Sequence, residues 1–388
     1  MITTRLYHQD SYLTEFSAHV VDRADDGLRI YLDRTAFYPS SGGQPNDTGE
    51  IAGIPVVDVV DEGRRIAHVT LRPVDGVRVP GRIDWALRFD HMQQHTGQHL
   101  LSAVFVELYG AQTVGFHLGA ESSSIDVAAP ALGADEVLAL EARVNQRVFE
   151  NRRVTVTFEA ASEARDLRKP PDREGILRIV TIEGLDRSAC GGTHVRATGE
   201  AGPVLIRKLE KIRGDIRIEF LCGVRAVRRA RADFDALSRI ARSFSASLDD
   251  AAPLAAAQRE ALEAAEKARR KQAAELARFR GREMYDAAEA GPDGLRRVLH
   301  RLRSGSLDEE VRALAQGFTA RPKAVFVATV ADPPSVLLAV SADAGIDAGE
   351  LLKAALAKFG GRGGGNAAVA QGSLTSAAGL DSLLAGLP

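Results

Sequence analysis

The chain has 388 residues, 45% hydrophobic and 26% charged, with a formal net charge of −2. Such a length exceeds one ordinary core and predicts roughly two to four domains, and the near-neutral charge confines any nucleic-acid contact to a local patch. Two cysteines, Cys190 and Cys222, exclude a disulfide framework; with no apolar run of membrane-spanning length and no secretory signal in the opening residues, a cytoplasmic protein without membrane contact is expected.

Residues 1–88 read as β. Alternating stretches at 15–21, 28–33, 54–60, 65–70 and 77–84 are separated by Gly, Asp and Pro turns. Short strands with frequent turns predict a small barrel or sandwich, and a small β-barrel is the N-terminal domain expected here. Residues 90–109 lack breakers except Gly97 and predict a helix. A strand follows near 122–127, then a second helix over 134–151 with Val137, Leu138, Leu140, Val144 and Val148 at helical spacing. Strands are predicted at 154–158, 177–182, 204–209 and 217–221, so residues 89–223 form an α+β domain.

Residues 224–290 are rich in Ala, Arg and Glu. Asp249 and Asp250 are candidate caps for a helix entered through Pro253, which makes a helical hairpin and a spacer role the reading for this segment. Its large apolar residues are too irregular for a heptad seam; a homodimer is compatible with it but not demanded. Residues 291–388 predict a small α/β domain, with strands at 325–330 and 336–340, a helix at 350–358 and a flexible glycine loop at 360–365 before Ala370-Gln371-Gly372. The whole is an α+β multidomain chain: barrel, α+β domain, helical spacer and C-terminal α/β domain.

Two clusters carry the chemistry, His95-Thr96-Gly97-Gln98-His99 and Cys190-Gly191-Gly192-Thr193-His194. On a helix, His95 and His99 project from one face. In the second cluster the glycines allow the backbone to turn closely around an ion. Three imidazoles and one thiolate make a complete tetrahedral set for Zn²⁺. A set of four protein ligands also suits a structural ion, and each histidine taken alone suits an ordinary core position. His91, one turn before His95, offers an alternative pair with it. A metalloprotease would need Glu directly after the first His; Met92 and Thr96 stand there instead.

The loop Phe37–Gly49 contains Ser40-Ser41-Gly42-Gly43-Gln44, whose hydroxyls, amide and bare backbone suit a polar ligand. A wide hairpin is the bland alternative. Gly-Gly-Gln also occurs in peptide-release factors, but those need no His/Cys set. Between Arg207 and Arg242, eleven Lys and Arg face five Asp and Glu, densest from Arg225 through Arg228 and Arg229 to Arg231. This segment reads either as a solvated helix face or as a phosphate contact. Arg362 in the C-terminal glycine loop is a further candidate for phosphate or ribose.

Four ordered motifs resemble the free-standing alanyl-tRNA editing proteins (AlaX type, long form). They are Asp90–Leu101, the Phe37–Gly49 loop, Val114–Gly119 and Ser188–Val195. The tail over 360–373 is similar to the C-terminal domain of alanyl-tRNA synthetase. The resemblance implies that His95, His99, Cys190 and His194 bind Zn²⁺, with His91 a neighbour. It also implies that Ser40 and Gln44 recognise a substrate hydroxyl, and that Arg225, Arg228, Arg229 and Arg362 contact tRNA. The expected activity is hydrolysis of Ser-tRNA(Ala), or Gly-tRNA(Ala), in trans. Where many relatives have Thr in the loop, this chain has Ser40, which keeps the hydroxyl and loses the methyl. A non-catalytic RNA-binding protein with structural zinc and an editor of another aminoacyl-tRNA are the competing readings.

Overall fold

The computed structural model describes residues 2–24, 27–129, 132–170, 174–212 and 214–387. Arg213, one of the basic residues counted above, lies outside them. The chain forms two compact units, Met1–Arg239 and Ile240–Pro388.

The first unit opens with β1 (Thr4–Arg5), then β2 (Glu15–Arg23), β3 (Arg29–Leu32), β4 (Arg34–Thr35), β5 (Gly49–Ile51), β6 (Ile54–Asp61), β7 (Ile66–Thr70) and β8 (Arg78–Ile83). Six of these close a barrel in the order β2-β3-β7-β6-β5-β8, which fixes the choice between barrel and sandwich. Ile30, Leu32, Phe37, Ile51, Val56, Val59, Ile66 and Val79 fill it, the inward half of each alternating strand. The strand that sequence periodicity misses is β5, at three residues too short to alternate. It pairs with both β6 and β8 and so completes the closure.

Asp84 then caps α1 (Trp85–Tyr109), accepting from Leu87 N–H, and Gly110 ends the helix in the left-handed region at φ 64°. The stretch from His91 to Phe105 is buried although half of it is polar. Each buried amide therefore needs a partner. Gln94 exchanges two hydrogen bonds with the backbone of Cys222 (3.0 and 2.9 Å), and Gln93 donates to Glu200 O. Gly97 faces the same strand, where a Cβ would stand 2.0 Å from Cys222 Sγ.

Next come β9 (Thr113–Leu118), β10 (Ser123–Val127), α2 (Ala134–Phe149), β11 (Val154–Ala160), β12 (Ile176–Ile182), β13 (Asp186–Ala189), β14 (Val204–Ile212) and β15 (Asp215–Cys222). They build an antiparallel sheet in the order β14-β15-β10-β9 and a second, β11-β12-β13. α1 packs its Leu100, Leu101, Val104 and Phe105 into the common core with Leu140, Val144 and Val148 of α2. Leu138, placed on that stripe by spacing, is exposed instead: one residue past Val137, it sits about 100° round the helix.

α3 (Gly223–Ser243) and α4 (Ala251–Ala287) are the two helices expected of the spacer. Asp250 occupies the start of α4 but makes no cap; its carboxylate accepts from Ser247 Oγ (2.7 Å). The second unit takes in α4 rather than beginning near residue 291. Ala274, Ala277 and Gly281 leave the helix a smooth face on which α5 (Glu309–Thr319) packs. Around α5 lie β16 (Arg296–Ser304), β17 (Ala324–Asp332), β18 (Ser335–Val340), α6 (Ala348–Lys358), β19 (Arg362–Gly365), β20 (Val369–Ser373) and α7 (Ala377–Leu384). The mixed sheet runs β16-β17-β18-β20-β19. The segment 360–365, expected as a flexible loop, holds the edge strand β19. Its backbone pairs with β20 from Arg362↔Ser373 to Gly365↔Ala370, which needs no side chains.

Candidate metal centre

His95 and His99, one turn apart on α1, meet Cys190 and His194, which flank the turn after β13. One ligand atom from each lies within 4.8 Å of every other. The ring centroids of His95 and His194 are 4.5 Å apart and those of His99 and His194 4.6 Å. Cys190 Sγ stands 3.4 Å from His95 Nε2 and 3.3 Å from His194 Nε2. The turn can come this close because residue 192 is glycine: a Cβ there would be 2.2 Å from His95 Cε1.

Each imidazole is held from behind at Nδ1. His95 Nδ1–H donates to Gln44 Oε1 (2.8 Å), His99 Nδ1–H to Asp186 Oδ2 (2.7 Å), and His194 Nδ1 lies 3.1 Å from Thr96 Oγ1. Those partners are anchored in turn. Gln44 Oε1 also accepts from Thr193 N–H, and its Nε2–H donates to Thr193 Oγ1 (2.8 Å). Asp186 accepts from Arg168 Nε (2.7 Å) and Ser188 Oγ, and Thr96 Oγ1 accepts from Val195 N–H. Outer partners of this kind fix the tautomer and turn Nε2 inward, the arrangement that a ligating histidine requires.

Burial and mutual pairing set the charges within the cluster. Burial works against the Cys190 thiolate, but the His95 and His194 imidazoles outweigh it and hold the thiol well below its usual range. Burial pushes His194 down to about 3, so its ring is neutral. Burial also disfavours charge on His99, yet the hydrogen bond to Asp186 prevails and raises it to about 9. Asp186, despite its burial, is lowered to about 2 by His99 and Arg168. A thiolate and three oriented imidazoles suit zinc by their donor chemistry.

The remaining candidates divide. His91 is buried but stands outside the cluster, with no hydrogen-bond partner for its Nδ1 among the described residues. Ser40 is exposed on the glycine loop, where its Oγ donates to Asn46 Oδ1 (3.1 Å) and accepts from Asn46 N–H (3.0 Å). Gln44 is buried and its amide oxygen is engaged by His95 and Thr193, so it positions a ligand before it can test a substrate. Arg228, Arg229 and Arg362 are exposed, Arg229 pairing with Asp233. Arg225 departs from expectation: it is buried, forks onto Asp90 and donates to Gly119 O (2.7 Å), which leaves it unable to meet a phosphate. Thr96, Asp186, Arg168 and Thr193 escape the sequence because no spacing marks them as partners of the ligands.

The first unit is thus a β-barrel bearing a glycine loop, docked on an α+β body that holds a three-His, one-Cys cluster. Residues 177–219 match the threonyl and alanyl tRNA synthetase second additional domain, and residues 301–387 match the DHHA1 domain. The chain is 36% identical over 260 residues to alanyl-tRNA editing protein AlaX-L of Pyrococcus horikoshii, covering 63% of this chain and 62% of that protein. It is 34% identical to alanyl-tRNA editing protein Aarsd1 of Mus musculus (58% and 60%) and 35% identical to alanine–tRNA ligase of Pyrococcus furiosus (61% and 28%). Curated alanyl-tRNA editing proteins are thus homologues of this chain, which spans about three fifths of the length of those it matches.

Proposed function

We propose that the chain hydrolyses the ester of mischarged Ser-tRNA(Ala), and of Gly-tRNA(Ala), with Zn²⁺ held by His95, His99, Cys190 and His194. The observation that carries this reading is the convergence of four ligand atoms, each imidazole braced at Nδ1, in a homologue of alanyl-tRNA editing proteins. A synthetase site sized for alanine cannot reject glycine by size and rejects serine poorly, since an added hydroxyl is discriminated by only about 10²-fold in an apolar pocket. A polar site that bonds the hydroxyl separates serine from alanine by about 10⁴–10⁵-fold, because alanine leaves the polar groups unpaired.

Ser40 supplies that test at the exposed end of the glycine loop, with Asn46 fixing its hydroxyl. Gln44 holds His95 and Thr193 in register and presents its remaining Nε2–H beside them. Zinc bound here would position the acceptor end, because four protein ligands complete a tetrahedral set and leave no open place for the ester or water. The attacking group is water, with no covalent aminoacyl-enzyme. Arg228, Arg229 and Arg362 contact the tRNA backbone, which makes binding salt-dependent. Incubation with Ser-tRNA(Ala) and Ala-tRNA(Ala) tests the reading: the seryl ester is lost and the alanyl ester spared. Equal survival of both would leave a non-catalytic RNA-binding protein, which four protein ligands also permit.

A further inference from the structure

Four side chains stack in a run on the first unit. The Arg196 guanidinium lies 3.8 Å from the centroid of the Tyr12 ring. Tyr12 packs against Trp85, and Trp85 against Phe89, each pair with centroids 5.3 Å apart. The run is fixed from behind. The Tyr12 hydroxyl accepts from Arg196 N–H (3.1 Å) and donates to Glu200, while Tyr12 and Phe89 are half-buried against the hydrophobic core. Two members stay open: Arg196 is exposed, and Trp85, the single tryptophan of the chain, is 38% exposed.

The Arg196 guanidinium makes no hydrogen bond or ion pair among the described residues. Glu200, the carboxylate in this network, is engaged by the Tyr12 hydroxyl and the Arg196 backbone N–H instead. A guanidinium lying flat on a ring presents a second, weakly hydrated plane, and a partly exposed indole presents an apolar one. Unpaired bases of single-stranded RNA stack on such planes, whatever their sequence. The run also starts beside the metal cluster. Arg196 follows the candidate ligand His194 by two residues, which places their backbones within about 7 Å. Trp85 opens α1 and precedes His95 by ten residues, about 15 Å along the helix axis. At a rise of about 3.4 Å per nucleotide, that is the length of about four stacked nucleotides.

We propose that Arg196, Tyr12, Trp85 and Phe89 form a stacking platform for the unpaired 3′ nucleotides of an RNA whose terminal ester reaches the metal cluster. The inference rests on the aminoacyl-tRNA reading above. Arg196 takes a base near the 3′ end, and Trp85 takes one further from it. The platform grips π-faces rather than base edges, so it holds the strand without reading its sequence.

The test uses uncharged RNA hairpins that copy the acceptor stem of tRNA(Ala) and the full-length zinc-loaded protein. One hairpin carries the four-nucleotide 3′ overhang; a second carries the same overhang with abasic sugars, which keeps every phosphate and removes every π-face. Affinity is read by calorimetry, and stacking by quenching of the Trp85 fluorescence. The wild type binds the hairpin with bases at least about tenfold more tightly than the abasic one, the worth of one or two stacked bases. Only the first quenches Trp85. Arg196→Lys, which keeps the charge and loses the plane, lowers the affinity ratio about threefold or more, and Trp85→Leu does the same. Thermal midpoints are measured alongside, and the exposed, charge-conserving Arg196→Lys keeps the test decisive if Trp85→Leu does not fold. A wild-type ratio near one overturns the proposal, as does equal quenching by both hairpins. So does a ratio unchanged in Arg196→Lys, or an equal loss for both hairpins, which would make Arg196 a phosphate contact. Failure of the aminoacyl-tRNA reading is separate: it appears as survival of Ser-tRNA(Ala) with the wild type.

Discussion

Asp186 receives His99 Nδ1–H, Arg168 Nε–H and the Ser188 hydroxyl on its two oxygens, all in a buried site. Removing its charge leaves Arg168 without a counter-charge and takes one of the two acceptor oxygens that hold His99 and Arg168. Asp186→Asn is therefore expected to weaken zinc binding by roughly 10–100-fold, the usual worth of an outer partner of a ligating histidine, in a competition titration against a chromophoric chelator. Gln44→Ala should do the same through His95, whereas Gln44→Glu, which keeps the acceptor oxygens, should retain more of the affinity. An affinity unchanged in Asp186→Asn and Gln44→Ala would detach both residues from the metal. The four candidate ligands were legible in the sequence because two short clusters carry them at fixed spacing. Their outer partners were not, since Gln44, Thr96 and Asp186 arrive from separate elements and only folding assigns them. Gln44 was read as a partner for a substrate hydroxyl; its amide oxygen accepts from His95 Nδ1–H and Thr193 N–H, behind a candidate ligand.

A second residue-scale consequence lies in the barrel. Burial holds His68 down to about 4, and it sits between Thr35 Oγ1 (2.8 Å) and Ile30 O (3.3 Å). Above its ordinary value of 6.5 the ring is neutral both folded and unfolded, and contributes no pH dependence. As pH falls through 6.5 the unfolded chain takes the proton and the folded chain does not. Stability then declines by about 1.4 kcal/mol per pH unit until about pH 4, roughly 3 kcal/mol in all. Denaturant midpoints of wild type and His68→Gln between pH 7 and 4 should converge as the pH falls; parallel acid limbs would exclude His68 as their cause.

At the scale of elements, α1 ties the first unit together: it is capped by Asp84 after the last barrel strand, carries two candidate ligands, and closes against β15. Gly97 sits between those ligands. Helical propensity alone favours alanine there by about 1 kcal/mol. The Cys222 sulfur, 2.0 Å from an added Cβ, reverses the sign. Gly97→Ala should destabilise by about 1–3 kcal/mol, as overpacking does, and Cys222→Ala should rescue most of the loss in a double-mutant cycle read by denaturant midpoints. Additive effects would show that the two atoms do not compete for this space. The sequence displayed α1 plainly, with Gly97 as its one flaw, but only β15 explains the flaw. It displayed the long barrel strands as well, and hid β5 and β19, which owe their pairing to neighbours rather than to any side-chain pattern.

For the whole molecule, the division between units bears on which half does chemistry. All four candidate ligands, their outer partners and the glycine loop lie within Met1–Arg239, while Arg362 and the DHHA1 match lie in Ile240–Pro388. A cut near residue 290, suggested by composition, would leave α4 with Ala274, Ala277 and Gly281 stripped of α5 and its surrounding core. A chain ending after Ser245 keeps α3 whole and carries no orphaned face of α4. It should fold, bind one zinc per chain and hydrolyse Ser-tRNA(Ala) with kcat within a few-fold of the full chain. Its KM should rise by at least about tenfold, because backbone contacts from the second unit add affinity without touching the ester. The rise should shrink as salt increases, since the lost contacts are ionic. A collapse of kcat with KM preserved would move the second unit from holding tRNA into the hydrolytic step itself.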